Sequence, residues 1–185
     1  EQGLADAREL GLQWAIGFLL NNLALAALMD GKLTQALALV NDSLSLFHTL
    51  RSEASIAEVL ITQGQILGEQ GKWRPAYAAL AEALRLAWSL GPRLIVAAAL
   101  EGLAGVLAHA NRSHQDVVQA VRLLSTAAAL REQMGIPLRP ADQPASRRAV
   151  ATSHATLGDP DFTAVWAEAR KLPLEQLIST IRGAL

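Results

Sequence analysis

Apolar residues recur along the chain at the three- and four-residue steps of an α-helix, in successive blocks closed by glycine. That periodicity marks amphipathic helices. Leu19, Leu20, Leu23, Ala24, Ala27 and Leu28 predict a helix over residues 12–29, which Asp30-Gly31 breaks. A partner helix follows over 33–50, with Leu37, Val40, Leu44 and Phe47 on one side. Ser52 is placed to cap a helix over 53–70. Gly71 turns the chain into a helix over 73–90, where Pro75 falls in the first turn and costs little. Gly91-Pro92 stops it and starts another over 93–110, and the next runs over 115–134 to Gly135.

The pattern repeats every forty residues. Gly31-Lys32-Leu33-Thr34-Gln35-Ala36 leads to Ser43-Leu44-Ser45-Leu46 in the register in which Gly71-Lys72-Trp73-Arg74-Pro75-Ala76 leads to Ala83-Leu84-Arg85-Leu86. A third copy keeps Ala120 and Ala127-Ala128-Ala129-Leu130. Such a period predicts a stacked array of helix hairpins, each with an apolar face that its neighbours cover. Four residues are inserted before Ala120, around Asn111-Arg112-Ser113-His114. Insertions in arrays fall in loops on one face, where they either serve function or simply lengthen a turn. Ala7-Arg8-Glu9-Leu10-Gly11 shares Ala, Leu and Gly with Ala87-Trp88-Ser89-Leu90-Gly91. Residues 1–10 therefore read as the tail of a further repeat, and the array is expected to continue upstream in a longer chain.

After Gly135 the period is lost. Ile136-Pro137-Leu138-Arg139-Pro140 is a stiff link, followed by expected helices over 141–157, 159–171 (with Phe162, Val165 and Trp166) and 174–183. The chain divides on this basis into an array over 1–135 and a helical cap over 136–185.

Composition narrows the function. Apolar residues make up 51% of the 185, largely Ala and Leu, and aromatics only 4%, which favours an all-α fold. A formal net charge of −1 offers no basic footprint for nucleic acid. The absence of cysteine excludes disulfides and thiolate metal sites and is compatible with a cytoplasmic location. The most apolar runs, Leu23 to Met29 and Leu94 to Leu100, are too short to span a bilayer, so no membrane partner is expected.

Catalytic chemistry finds no foothold. Neither a phosphate-binding loop nor a nucleophile elbow occurs. Gly64 and Gly68, like Gly102 and Gly105, fall inside expected helices, where they allow close packing. His109 and His114 are five apart across a turn, and His48 and His154 stand alone, so no metal site is expected. The chain is read as a non-enzyme without a cofactor. Trp73, Tyr77, Trp88 and Trp166 are read as packing anchors.

The small residues at Ala24, Gly64 and Ala104, at Ala36, Ala76 and Ala120, and at Ser43, Ala83 and Ala127 resemble the tetratricopeptide pattern, with Val40, Leu80 and Leu124 as its large residue. The aromatic part of the signature is replaced by Leu20, Leu60 and Leu100 and by Ala27, Leu67 and Leu107. The resemblance implies a right-handed superhelix of antiparallel hairpins whose first helices line a concave groove. The groove candidates are Asn21, Asn22 and Leu25 in the first unit, Glu58, Thr62, Gln65 and Glu69 in the second, and Glu101 and His109 in the third. Amides and carboxylates there would grip a protein or peptide partner or a polar small-molecule effector; the plain alternative is a solvated helix face. Asn21-Asn22 stands out because Asn is a poor helix former.

The segment from Ala120 through Met134-Gly135-Ile136-Pro137, continuing with Leu157-Gly158, Phe162, Ala164-Val165-Trp166-Ala167-Glu168-Ala169-Arg170 and Leu174-Glu175-Gln176-Leu177, resembles the C-terminal ends of signal-transduction ATPases with numerous domains. That family includes large LuxR-type and adenylate-cyclase-linked bacterial regulators. The resemblance implies an ATPase domain upstream in the same chain and an effector such as a DNA-binding module, a kinase or a cyclase, with this segment as sensor or interaction arm. A constitutive assembly scaffold, a free-standing adaptor and a small enzyme or ligand carrier remain alternatives.

Overall fold

The computed structural model describes residues 2–109, 113–139, 142–176 and 178. Among these, every regular element is an α-helix: α1 (Gln2–Glu9), α2 (Gln13–Met29), α3 (Leu33–Thr49), α4 (Glu53–Glu69), α5 (Trp73–Leu90), α6 (Arg93–Leu107), α7 (His114–Met134), α8 (Gln143–Leu157) and α9 (Asp159–Ala169). The helices pack in sequence as antiparallel pairs, most extensively α2 with α3, α4 with α5 and α6 with α7. The chain forms two compact units, Glu1–Gly91 and Pro92–Leu185. The third hairpin thus shares a unit with the tail, because α8 packs on α6 and α7 while α9 packs on α7 and α8.

A single turn design spaces the helices of the first unit. Gly11, Gly31, Arg51, Gly71 and Gly91 all have positive φ, one every twenty residues. At Gly31 the amide donates to the Leu28 carbonyl, and the next amide, Lys32, donates to that of Ala27. The same two bonds recur at Gly11, Arg51 and Gly71. This is the Schellman closure, which satisfies the last carbonyls of a helix and needs a left-handed residue just past its end. At Gly91 the following residue is Pro92, which has no N–H, and the closure is the simpler one, a bond from the Gly91 amide to the Ala87 carbonyl four residues back.

Arg51 alone fills this left-handed position with a side chain, at φ 52°. The Cβ clash there costs roughly 1–2 kcal/mol, of which the lost chain entropy of a glycine takes back part. Arg51→Gly is therefore expected to stabilise the protein by about 0.5–1 kcal/mol, measurable as a raised thermal midpoint. An unchanged or lowered midpoint would mean that the arginine side chain holds contacts worth more than the strain.

Small residues carry the packing inside each hairpin. Ala24, Ala36, Ser43, Ala76, Ala83, Ala104, Ala120 and Ala127 are wholly buried, as the repeat pattern requires. Two glycines permit closer approach still. A Cβ on Gly17 would stand 2.7 Å from the ring of Phe47, and one on Gly64 would stand 2.5 Å from Leu80 Cγ. Ser43 adds a buried hydrogen bond, donating to the Gly17 carbonyl at 2.7 Å. The α2–α3 pair is thus tied both by an aromatic ring over a glycine and by a hydroxyl on the same residue's backbone.

In the second unit α7 opens on a capping box: the Ser113 hydroxyl accepts from the Asp116 amide, and the Asp116 carboxylate accepts from the Ser113 amide. Val117 and Val121 of α7 form a core with Leu157 and Phe162, and Trp166 packs at its margin. The Phe162 ring lies between His154 at 3.7 Å and Trp166 at 5.6 Å. Ser125 donates to the Trp166 carbonyl at 2.8 Å, fixing α9 against α7.

Several bounds differ from the sequence expectation. Helix α6 ends at Leu107 instead of 110, and α9 at Ala169 instead of 171. Ser52 stands at the N-terminus of α4, but its hydroxyl donates to Ser55 Oγ and caps no backbone amide. The inserted Asn111 and Arg112 lie outside the described residues, as do Leu177 and residues 179–185 of the expected last helix; residues 174–176 are helical.

Candidate functional site

The nine groove candidates fall into two groups that the structure places in separate units. In the first unit Asn22, Glu58 and Glu69 are exposed, and Leu25 and Gln65 are half-buried. Asn21 and Thr62 turn inward, at 8% and 3% exposure. Adjacent helical residues are about 100° apart. Asn21 and Asn22 therefore cannot share a face, and Asn22 takes the outer one. The Asn21 Oδ1 is buried without a hydrogen-bond partner. Leaving an acceptor so costs about 1–3 kcal/mol, and one period on the equivalent position is the apolar Ile61.

In the second unit Glu101 has a structural partner. Its carboxylate accepts from Arg131 Nε at 2.6 Å and from Nη2 at 2.8 Å, a bidentate pair between α6 and α7. The two side chains are only 15% and 8% exposed. The hydrogen bond to Glu101 is the main cause that raises the Arg131 pKa above its ordinary value. His109, just past the end of α6, is half-buried. Among the described residues no three His, Asp or Glu side chains are grouped so as to hold a metal ion.

The register of the repeat exposes a feature beyond the nine groove candidates. Subtracting forty from Glu58, Thr62, Gln65 and Glu69 gives Phe18, Asn22, Leu25 and Met29. The face that is polar on α4 is thus largely apolar on α2. Trp14 extends it by one turn and stacks on Phe18 with ring centroids 5.5 Å apart. Trp14, Phe18 and Met29 are 57%, 42% and 70% exposed, unusual for side chains this large. The signal was in the sequence: the forty-residue offset applied to the four α4 positions finds all but Trp14.

The first unit therefore presents two parallel first helices in contact, α2 and α4, one with an aromatic and aliphatic outer stripe and the other with amides and carboxylates. Such a surface can hold an amphipathic segment. The class defined by these features is an all-helical domain of consecutive packed hairpins, consistent with a helical repeat. Compared with protein-family models, with curated proteins and with solved structures, the chain matches none. No helix among the described residues is long and apolar enough to cross a membrane.

Proposed function

We propose that this chain is a non-catalytic sensor or protein-interaction domain of a multidomain bacterial ATPase regulator, of tetratricopeptide-like kind, acting on transcription in the cytoplasm. The observation that carries the interaction role is the outer face of α2 and α4, where exposed Trp14 and Phe18 adjoin a row containing Asn22, Glu58, Gln65 and Glu69. Aromatic side chains beside polar ones are the composition of protein-binding surfaces. The wider assignment rests on the resemblance of the segment from Ala120 onward to the ends of signal-transduction ATPases. In this reading a protein, peptide or small effector on that face shifts the ATPase between two states, which requires unequal affinity for them.

The test is the intact mass of the native gene product, with peptide mapping upstream of Glu1. A much larger polypeptide bearing a nucleotide-binding core and an effector is the expected result, and Gln65→Ala, on the α4 side of the face, should weaken any effector response of its nucleotide turnover. A native chain of about this length would sink the regulator and leave a free-standing adaptor. Self-association that depends on concentration and needs no ligand would instead identify an assembly scaffold.

A further inference from the structure

The internal repeat shows what the outer side of α2 is built to meet. Helix α4 has two neighbours on its N-terminal side, α3 and α2. Helix α2 has α1, which joins it through the same left-handed turn that joins α3 to α4, one period earlier. Ala7 of α1 is buried, as is Phe47 of α3 forty residues on. So α1 holds against α2 the place that α3 holds against α4. Nothing described holds against α2 the place that α2 holds against α4.

Burial marks that vacancy residue by residue. On α4, Ser55, Val59, Thr62 and Ile66 are all buried. Their spacing of four, three and four puts them on one helix face. On α2 the equivalent positions are Ala15 and Leu19, half-buried, and Asn22 and Ala26, exposed. Two alanines and one leucine on a helix face allow another helix to approach closely, and Trp14 and Phe18 border the strip.

We infer that this face of α2 is the seat of a preceding helix hairpin of the same polypeptide, whose first helix lies beside α2 in the same direction as α2 lies beside α4. The inference deepens the proposal above, because it requires the chain to belong to a longer protein. It also reassigns Asn22: in the whole protein that side chain is covered as Thr62 is. The partner surface proposed for α2 then shrinks toward Leu25 and Met29, and the face of α4 around Glu58, Gln65 and Glu69 becomes the part that stays open.

The chain has no cysteine, so a single thiol reports the face cleanly. Ala26→Cys, and separately Leu19→Cys, are placed in the 185-residue chain and in the full-length native polypeptide, with Ser45→Cys on the exposed side of α3 as control. Labelling by N-ethylmaleimide is followed by peptide-resolved mass spectrometry. Positions 26 and 19 should react at least about tenfold more slowly in the full-length protein, while position 45 reacts equally in both, since covered sites react only through local opening. Equal rates at 26 and 19 overturn the inference. So does a native polypeptide with too little chain ahead of Gln2 to supply that first helix and its turn into α1. Protection that grows with concentration in the 185-residue chain also overturns it, by showing that a second copy covers the face. A full-length protein with an ATPase core but unprotected thiols would sink this inference alone; protected thiols in a protein without that core would sink the regulator instead.

Discussion

Glu101→Ala is expected to lower the unfolding free energy by about 3–4 kcal/mol. The reason lies in what remains: Arg131, 8% exposed, loses both of its short bonds to the carboxylate. Its bond to the Pro137 carbonyl, at 3.5 Å, is too long to compensate. Removing one partner of a buried ion pair costs roughly 3–5 kcal/mol because the other charge is stranded away from water. The pair as a whole is a different matter. At the equivalent positions of the second hairpin the chain carries Ile61 and Ala87, both buried and apolar. Exchanging both members, Glu101→Ile with Arg131→Met, keeps the volume and should recover most of the loss, since apolar replacements of buried pairs are often neutral or stabilising. Urea titration followed by far-ultraviolet circular dichroism measures both, and hydrogen exchange in α6 and α7 locates the effect. A single variant that loses less than about 1 kcal/mol would show that water screens the pair as it does a surface bridge. The result also bears on function. Loss of partner binding in Glu101→Ala would report a loosened α6–α7 hairpin before it reported a lost ligand contact.

The second large effect is at Gly64. An added Cβ would stand 2.5 Å from Leu80 Cγ and 2.9 and 3.0 Å from its two methyl carbons. Cγ is the branching stem of that side chain, and Leu80 is fully buried, so the whole residue has to move. Overpacking of this kind costs about 1–3 kcal/mol, near the upper end here, while alanine returns about 1 kcal/mol of helix propensity. Gly64→Ala should therefore lose about 2 kcal/mol. The first hairpin supplies the suppressor. Its equivalent residues are Ala24 and Val40, both wholly buried, so Leu80→Val added to Gly64→Ala should restore much of the stability. Gly105 is the control: a Cβ there meets nothing within 4 Å, and Gly105→Ala should gain about 1 kcal/mol in the same assay. Equal effects at both glycines would mean that propensity, and not the contact with Leu80, decides the outcome.

The amino-acid sequence by itself determined the helices, their turns and the small residues between them. These are local properties. Gly31, Gly71 and Gly91 announce left-handed turns because they are glycines, and Ala36 and Ala76 announce close packing because they recur in step with them. Arg51 shows the limit of that logic, for only the backbone reveals that an arginine occupies the same kind of turn. Tertiary structure alone decided which side of each helix is covered. Helix α2 is apolar around most of its circumference, so its pattern could not say that Asn21 turns in while Trp14 and Phe18 turn out. Glu101 reads as a groove carboxylate until α7 brings Arg131, thirty residues away, into its reach. The third hairpin follows the repeat in sequence, yet its α7 shares a core with α8 and α9, whose sequences carry no trace of the period. Periodicity fixes a helix and its spacing, because both follow from a few neighbouring residues. Coverage depends on what is packed beside the helix, and that information is spread across the fold.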